Sequence, residues 1–567
     1  MPKSKSKSKQ KLKKGKKKSK PSEKPTLSLK EQLAQKRKKQ KEIQELIKWI
    51  SISLVPGILL GLILGVTKDP KLGVAPVVAI PALILSYKYP RQALWAFLIY
   101  MPFSGTVVYA LGGNALLQLA KDGFYIPALL GLVGECKRKR QPILVPKALM
   151  PTFSISLGLS IMTLIFVNLV QLQLSGKETG QPFLQGILGL KIFLGYVPLI
   201  FCAYYLIEDK KQLLFLARLH LILAIACCAL SLVQYSMLQR GICRGTDHLA
   251  GDLLFKASVE AKCFVGGALL YSPSQGVIRL PGTFVSPWHW GWFLISNSVL
   301  TFAVAFCDTS PLWRLMGLGG MAIVFINSVI CGQRIALALV PVVTVILLVL
   351  TGQIANLKRF LPIAVGIGLV IIIAMATNPE VIQERIASFQ GRASASPPDE
   401  FIKDQWQWAL GNQDGFLGNG LGRGTNSTRT FGEVSLIETY FPKVIFEVGL
   451  LGFAAYMIFA SHLTGLTFKT YRSLKDKSLR DFGSCYWVFV LIISYNTYWY
   501  PLDTDPVAVY YWFLAGVIFA LPKIDKQEQE KLKLAQEENV EILPKKGLSI
   551  KSKQSRMQDG NIRLDLG

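Results

Sequence analysis

Apolar residues occur along this chain in long, nearly uncharged runs between Trp49 and Leu521, separated by shorter polar segments. The run 153–170 contains no charged residue, and the run 357–377 carries charges only near its start. Such runs reach the roughly 20 residues that a helix needs to cross a bilayer core. They are too long and continuous for barrel strands, so helices must satisfy the backbone within lipid. The pattern predicts an all-α, polytopic membrane protein.

The apolar runs correspond to about fourteen transmembrane helices, centred near residues 57, 80, 100, 124, 161, 196, 225, 297, 321, 343, 367, 452, 492 and 514. The polar segments support this number because the short basic ones, such as 135–147 and 469–480, fall on the same side as the N-terminus. Basic loops mark the cytoplasmic side of a membrane protein. We therefore predict that both termini are cytoplasmic.

Two connections, residues 239–286 and 378–436, are longer than the others and fall on the extracytoplasmic side of this arrangement. Loops of that length usually carry function. In the second loop, residues 400–410 predict a short amphipathic helix that places Phe401 and Trp408 against the membrane or the protein. The predicted organisation is a disordered basic cytoplasmic tail (1–45), transmembrane helices (46–238), the first large loop (239–286), transmembrane helices (287–377), the second large loop (378–436), transmembrane helices (437–522) and a disordered cytoplasmic tail (523–567).

The composition agrees with a membrane protein, since 51% of the 567 residues are hydrophobic, 17% are charged and the mean hydropathy is +0.36. The formal net charge is +29, and residues 1–49 hold 19 Lys and Arg against four Glu. A basic tail can bind nucleic acid, but we predict no nucleic-acid partner here. Next to a membrane helix, the tail is expected to lie against anionic lipid headgroups or to act as an orientation signal without a specific partner.

The cysteines and histidines give little functional signal. Cys243 and Cys263 share the first large loop and form a disulfide if that loop faces an oxidising compartment. The alternative, which we favour, is that two loop cysteines lie too far apart to bond. The four histidines are scattered, and the sequence has no CxxC pair and no His/Cys cluster. We therefore predict no metal site and no cofactor.

The segment "GFLGNGLGRGTNST", residues 415–428, resembles a phosphate-binding glycine loop. A dinucleotide fingerprint requires a preceding strand and a following helix within a parallel sheet, and this segment lacks that setting. One interpretation is a flexible or tightly turning loop, since glycine adopts positive φ freely. The other is that exposed backbone amides at Gly420 and Gly422, next to Arg423 and Arg429, hold a phosphate of a lipid carrier.

Four segments, in this order, resemble the O-antigen ligase and O-antigen polymerase superfamily: "RLPGTFVSPWHWGWFL" (279–294), "CGQRIALAL" (331–339), "QWQWALGNQDGFLGNGLGRG" (405–424) and "IETYFPKVIFEVGLLG" (437–452). Arg279 before "PGTF" and Arg334 in "GQRIALAL" are similar to the two arginines of that family. The resemblance covers roughly residues 280–455. It implies a multispan enzyme of the bacterial inner membrane that assembles surface polysaccharide from a polyprenyl-diphosphate-linked glycan.

The last family segment reads approximately "HNxYLxxLxExGxxG" in ligases. This chain has Glu447, Gly449 and Gly452 in place, but Glu438 stands where ligases have the histidine. The resemblance therefore implies a polymerase or an exopolysaccharide branch rather than a ligase. The lysine- and serine-rich tail is similar to that of cyanobacterial members tied to polysaccharide secretion by motile filaments (hormogonia), which implies polysaccharide-export proteins as partners.

A glycan on a polyprenyl diphosphate leaves behind a diphosphate anion, so catalysis needs positive charge where that negative charge grows. Arg279 and Arg334 are the predicted catalytic cations, because a guanidinium binds phosphate through two parallel hydrogen bonds. Glu438 is the predicted base for the acceptor hydroxyl, with Asp404 and Glu433 as alternatives. The predicted diphosphate- or glycan-binding residues are Arg423, Arg429, Gly420, Gly422 and Lys443. This scheme requires neither a nucleotide sugar nor a metal.

Structural alternatives accompany these assignments. Arg334 sits at a span end, where arginines commonly act as interfacial anchors. Glu438 can instead pair with Lys443 or stabilise a helix N-terminus, and His289 in "PWHWGW" suits an interfacial aromatic belt. Two competing functions stay open. One is a small-anion transporter of the bicarbonate type, which predicts inverted repeats and broken helices, and the other is a non-catalytic membrane component of a polysaccharide secretion complex.

Overall fold

The computed structural model describes residues 29–67, 70–113, 115–143, 146–174, 180–254, 261–273, 276–353 and 397–542, together with positions 365, 383, 387 and 391. Within these residues, eight helices are long and apolar enough to cross a membrane, and a bent pair, Pro182–Leu194 with Leu199–Leu206, adds a ninth if it forms one span. Extended structure in the described ranges is limited to one two-stranded sheet and two isolated bridges. The predicted all-α, multi-pass class of membrane protein is confirmed.

The chain divides into two compact units, and the first ends at Leu85. Its described part consists of α1 (Leu29–Thr67) and the larger part of α2 (Pro70–Lys88). These helices cross at Gly61 and Gly73, where a Cβ atom on either glycine would overlap the backbone carbonyl of the other. Small residues at such crossings let membrane helices approach closely enough for their backbones to touch.

Both predicted tails are partly helical. Helix α1 includes residues 29–45, which the sequence analysis assigned to the disordered basic tail, and the last helix includes residues 523–542 of the C-terminal tail. Residues 29–55 contain neither Pro nor Gly and are rich in Lys, Gln, Glu, Leu and Ala, which are strong helix formers. The disorder prediction is therefore wrong for these stretches, and residues 1–28 and 543–567 lie outside the described residues.

The second unit, Ser86–Gly567, contains the remaining elements. Its α-helices are α3 (Pro90–Tyr100), α4 (Ser104–Ala110), α5 (Asp122–Arg138), α6 (Met150–Thr163), α7 (Val170–Leu174), α8 (Pro182–Leu194), α9 (Leu199–Leu206), α10 (Lys210–Gln239), α11 (Pro287–Cys307), α12 (Pro311–Ile330), α13 (Arg334–Leu350), α14 (Pro398–Asn412), α15 (Tyr440–Arg472), α16 (Lys477–Tyr495) and α17 (Val507–Ile542). Its strands are β1 (Leu270–Ser272) and β2 (Val277–Arg279).

Shorter helical turns join these elements. The 3₁₀ turns are Met101–Phe103, Ala115–Lys121, Lys147–Leu149, Thr246–His248, Gly251–Leu254, Asn426–Thr428 and Pro501–Asp503, and a π-helical turn at Leu164–Leu169 links α6 to α7. Helix α14 is the amphipathic helix predicted for the second large loop. Its Phe401 ring packs edge-on against Tyr498, and its Trp408 ring lies 5.3 Å from that of Phe446. The apolar face of α14 thus packs on protein.

Helix α11 lies at the centre of the second unit and packs against α10, α12, α13 and α16. The polar residues in the middle of this helix are buried as well, and Ser296 and Thr301 donate to the carbonyls four residues earlier. Such bonds satisfy a polar side chain in an apolar setting. Trp290 and Trp292 are also buried, at 0% and 2% exposure. The interfacial aromatic belt suggested for His289 therefore does not include these two flanking tryptophans, which belong to the core.

One end of the second unit is held together by ion pairs between helix ends. Arg218 of α10 makes two hydrogen bonds of 2.8 and 2.9 Å to Asp308, which follows α11. Lys210 lies 2.8 Å from Asp476, and Asp525 accepts a hydrogen bond from the Asp476 amide. Asp308 is fully buried, so loss of its guanidinium partner would leave a buried polar group without compensation. We call this the paired end of the bundle.

The number of long spans differs from the predicted fourteen because several helices are short. The runs near residues 80 and 343 form apolar helices of fewer than 18 residues over their apolar parts. The runs near 124 and 492 form α5 and α16, which do not pass as long apolar spans, and the run near 367 lies outside the described residues. The figure of fourteen therefore stays a prediction.

Candidate functional site

The first large loop folds into the β1–β2 hairpin, which places Arg279 opposite Leu270. A disulfide joins Cys243 to Cys263, whose Cα atoms lie 5.5 Å apart. Cys263 and Leu280 belong to one buried apolar cluster beneath the hairpin. The favoured prediction of two free thiols is therefore wrong, because the fold of the loop brings the cysteines together. The disulfide supports the strand that carries Arg279.

The hairpin also joins the turn between α12 and α13. The Leu280 amide donates to the Cys331 carbonyl at 3.0 Å, which brings Arg279 next to the turn that leads into Arg334. Arg279 interacts electrostatically with both Arg334 and the Glu438 carboxylate. The structure therefore brings together the three residues predicted to be catalytic. We call Arg279, Arg334 and Glu438 the arginine cluster.

Glu438 lies on the segment that enters α15, and its backbone is fixed from two sides. Its amide donates to Gln405 Oε1 of α14 at 3.0 Å, and its carbonyl accepts from the Trp499 amide at 3.1 Å. The carboxylate is half-buried. The alternative in which Glu438 pairs with Lys443 is wrong, because Lys443 forms its ion pair with Asp503.

The Arg279 side chain is desolvated but retains an unused donor. Its guanidinium carbon lies 5.3 Å from the centre of the Trp288 ring, and its Nη2 donates to Ser272 Oγ at 2.5 Å. Within the described part of the chain, its buried Nε has no hydrogen-bond partner. The pKa of Arg279 is lowered to about 10, mainly by burial and also by the Arg334 charge, while the Glu438 carboxylate opposes the decrease. An anion at this point would satisfy the donor and offset the desolvated positive charge.

The loop between α16 and α17 contributes residues that the sequence analysis missed. Trp499 and Tyr500 have φ angles of +54° and +21°, a region that residues other than glycine rarely adopt. Backbone strain of this kind clusters at functional sites. Burial raises the pKa of Tyr500, the carboxylates of Glu438 and Asp503 raise it further, and Arg429 lowers it. Tyr500 therefore lies within electrostatic reach of both Glu438 and Arg429, and the aromatic run "YNTYWYP" was the only sequence signal for it.

Lys443, predicted to bind the diphosphate or glycan, is an interior residue. It is 1% exposed, and it pairs with Asp503 and lies 3.9 Å from Glu447. A buried ammonium between two carboxylates is held in place by them. Its location indicates a role in positioning the Tyr500–Asp503 loop rather than in contacting a ligand.

Helix α15 is broken at Gly449, where φ is +71° and ψ is 178°. The break frees the carbonyls of Phe446 and Glu447 from the helical pattern, and the amides of Asn419 and Gly420 donate to them at 2.8 and 3.1 Å. A free carbonyl inside a membrane protein is costly unless a donor satisfies it. The glycine-rich segment therefore caps an interrupted helix.

Further backbone amides of the glycine-rich segment also have hydrogen-bond partners. The Leu421 amide donates to Asn168 Oδ1, in the π-helical turn, at 2.9 Å. The Gly424 amide donates to Glu447 Oε1 at 2.8 Å. Gly420 and Gly422 are buried, and a Cβ on Gly422 would overlap the backbone of α8. The hypothesis that Gly420 and Gly422 expose amides to a phosphate is therefore wrong. These two glycines allow close packing, and Glu447 holds the segment in place by accepting the hydrogen bond from the Gly424 amide.

Arg423 and Arg429 lie on a separate surface. Arg429 and Glu433 line an open cavity of about 770 Å³, and Arg423 and Glu433 line a neighbouring cavity of about 260 Å³. Burial lowers the pKa of Arg423, and the Glu433 carboxylate opposes this. We call these two cavities, which share Glu433 and Val434, the loop groove. Of the alternative bases, Glu433 thus lines this groove, while Asp404 is exposed on α14.

Compared with known proteins, the chain matches no protein-family model and no curated protein sequence. Among the described residues, no group of three His, Cys, Asp or Glu side chains is arranged to hold a metal ion. The fold itself defines the class of the molecule. It is an α-helical, multi-pass membrane protein with charged side chains gathered at one end of its helix bundle.

Proposed function

We propose that this protein is a membrane glycosyl-transfer enzyme, similar to O-antigen ligases and polymerases. It moves or polymerises a polyprenyl-diphosphate-linked glycan at the extracytoplasmic face during the biosynthesis of surface or secreted polysaccharide. The observation that carries the proposal is the arginine cluster, in which the Arg279 guanidinium interacts electrostatically with the Arg334 guanidinium and the Glu438 carboxylate at one end of the helix bundle. Guanidinium groups suit the diphosphate, and the carboxylate suits the attacking hydroxyl.

Two features support an extracytoplasmic position for the arginine cluster. The Cys243–Cys263 disulfide lies beneath the Arg279 hairpin, and disulfides persist mainly in oxidising compartments. The paired end, opposite the cluster, carries the basic connection 469–480, and basic connections favour the cytoplasm. Helix α17 runs from the cluster end to the paired end, so the proposal assigns the C-terminus to the cytoplasm of a bacterial cell.

In the proposed reaction, an acceptor hydroxyl oxygen attacks the anomeric carbon of the donor glycan. The new carbon–oxygen bond forms as the bond from that carbon to the diphosphate oxygen breaks, and the hydroxyl proton passes to the Glu438 carboxylate. The polyprenyl diphosphate leaves with the electron pair, and Arg279 and Arg334 stabilise its charge. The protein supplies positioning and electrostatics, since diphosphate leaves readily without a strong acid.

The transporter alternative predicts interrupted helices whose free carbonyls face an ion path. Helix α15 is interrupted at Gly449, yet the carbonyls of Phe446 and Glu447 accept hydrogen bonds from the glycine-rich segment. The interruption is thus closed by protein donors. A secretion scaffold would need no cluster of charged side chains at the extracytoplasmic end, and the cluster therefore favours the enzyme.

The proposal is tested with the full-length protein in lipid nanodiscs. The substrate is the polyprenyl-diphosphate-linked glycan extracted from cells that lack the gene. We expect Glu438→Gln to lower the transfer rate about 100-fold, the lower range for loss of a general base. Glu400→Gln, the same change at an exposed residue of α14, is the control and retains the rate. A Glu438→Gln protein that is folded and transfers glycan at the wild-type rate would refute the proposed base.

A further inference from the structure

The proposed transfer step leaves the loop groove without a role. The side chains that line its larger cavity include two amides, an arginine, a threonine, a phenylalanine and a carboxylate: Gln181, Asn426, Arg429, Thr430, Phe431 and Glu433. Amide, hydroxyl and charged groups together both donate and accept hydrogen bonds. The phenylalanine adds an apolar surface. This combination suits a ligand that is rich in hydroxyl groups and has apolar C–H faces, which describes a saccharide.

The charge of the groove differs from that of the arginine cluster. In the larger cavity one arginine, Arg429, accompanies one carboxylate, Glu433, and the smaller cavity has Arg423 with Glu433 and Asp414. A diphosphate would meet carboxylates there at close range, which is unfavourable. A neutral ligand meets no such repulsion. The volume of about 770 Å³ also lies within the roughly 300–1,000 Å³ that ligand sites usually provide.

The walls of the groove are fixed to the helix bundle. The backbone amide of Gln181, at the start of α8, donates to the Phe431 carbonyl at 2.6 Å. Gln185 of the same helix donates from Nε2 to the Glu433 carbonyl at 2.9 Å. These bonds hold residues 431–433 in one conformation before any ligand arrives. A preorganised wall reduces the entropy lost on binding.

The groove leads to the proposed base. Leu436 lines the larger cavity and precedes Glu438 by two residues. Arg429 lies on the same cavity and within electrostatic reach of Tyr500, and Tyr500 lies within electrostatic reach of Glu438. A saccharide seated in the groove would therefore have one end near the segment that carries Glu438.

We infer that the loop groove binds the acceptor saccharide and presents its terminal hydroxyl to Glu438. This inference rests on the proposed function for the reaction, and it adds the place and the chemical class of the acceptor. Asn426, Arg429 and Glu433 supply its hydrogen bonds, and Phe431 contacts a sugar face. The arginine cluster then serves the donor, and the groove serves the acceptor.

The test measures saccharide binding and transfer separately on the full-length protein in nanodiscs. The probe is an oligosaccharide released by mild acid hydrolysis from the surface polysaccharide of the cells that make this protein, and binding is followed by calorimetry. We expect Glu433→Gln and Arg429→Gln each to weaken binding about tenfold, as expected for a lost hydrogen bond to a charged group. Glu400→Gln, outside the groove, binds as the wild type does.

The outcomes separate this inference from the proposed function. Arg279→Gln is expected to lose transfer while it binds the oligosaccharide normally. If the wild-type protein transfers glycan but binding is unchanged in Glu433→Gln and Arg429→Gln, the groove assignment is refuted and the enzyme stands. If the oligosaccharide binds in the groove but Arg279→Gln and Glu438→Gln still transfer glycan, the proposed reaction site fails instead. Inorganic diphosphate that competes with the oligosaccharide for Arg429 would overturn the neutral-ligand argument.

Discussion

The arginine cluster and the loop groove use the same side-chain types in opposite ways. Each combines arginines with a glutamate, but Arg279 is desolvated, packs on Trp288 and has a second arginine beside it, whereas Arg429 is exposed and shares its cavity with Glu433. Excess positive charge in a desolvated position suits an anion. Balanced charge in an open cavity suits a neutral polar ligand. This contrast agrees with the proposed division into a donor site and an acceptor site.

The two sites also depend on different parts of the fold. Arg279 is held by a hairpin that packs on a disulfide and on the α12–α13 turn. The groove is held by the glycine-rich segment, which caps the break in α15 and is clamped by Glu447. Substitutions that damage one support should therefore affect one site first.

The largest expected effect follows from Arg279→Lys. A lysine keeps the charge but loses the fork of donors and the stacking on Trp288, so two-pronged binding of a diphosphate is lost. We expect the transfer rate to fall about 100- to 1,000-fold, as for loss of a donor to developing charge, with unchanged oligosaccharide binding. Single-turnover transfer by protein in nanodiscs measures the effect.

The matched control for Arg279→Lys is Arg240→Lys, which makes the same change at an exposed residue after α10. We expect it to leave the transfer rate unaltered. Equal rates for Arg279→Lys and the wild type would remove the distinction between the two sites, because Arg279 would then act as an ordinary surface cation.

The support of the groove is tested by Gly449→Ala. An alanine there is strained at φ +71°, and its Cβ would overlap the Phe416 carbonyl. We expect a loss of about 3 kcal/mol of stability, measured as a lower Tm in nanodiscs, and weaker oligosaccharide binding. Gly465→Ala is the control in the same helix, since a Cβ at Gly465 meets nothing within 4 Å. An unchanged Tm for Gly449→Ala would mean that the break in α15 does not form.

The support of the arginine cluster is tested by replacing Cys243 and Cys263 together with serine. Loss of a disulfide between residues 20 positions apart should cost about 2–3 kcal/mol. Because the strand that carries Arg279 packs on this disulfide, we expect transfer to fall further than oligosaccharide binding. Treatment with a reductant should reproduce the effect in the wild type and leave the double variant unaffected. Equal losses of both activities would indicate general unfolding.

Sequence patterns predicted the features that depend on local properties of the chain. Long apolar runs predicted the membrane class, the period of residues 400–410 predicted α14, and the two arginine motifs pointed to Arg279 and Arg334. These motifs gave no information about distance, yet the structure brings Arg279 within electrostatic reach of both Arg334 and Glu438. The order of these motifs along the chain was therefore a useful guide to which residues form the arginine cluster.

Features that depend on contacts between distant segments were predicted wrongly or missed. Cys243 and Cys263 meet because of a hairpin whose register the sequence did not reveal. The sequence left the glycine-rich segment between a tightly turning loop and a phosphate-binding loop, because its partner, the break at Gly449, lies about 30 residues further along the chain. The sequence did not indicate that Tyr500 belongs to the site, because a positive φ angle at a tyrosine cannot be predicted from residue type. In each case the feature depends on a contact or a backbone angle that only the three-dimensional structure shows.

The smallest expected effect concerns Tyr500, which lies within electrostatic reach of Glu438 in the cluster and of Arg429 in the groove. Tyr500→Phe keeps the ring and removes only the hydroxyl, so both sites remain folded. We expect the KM for the acceptor oligosaccharide to rise about fivefold, the equivalent of one lost hydrogen bond, with little change in kcat. Tyr495→Phe, at an exposed tyrosine of α16, should leave KM unchanged. A fall in kcat without a change in KM would instead assign Tyr500 to the donor side. Tyr500 would then belong to the arginine cluster and not to the loop groove.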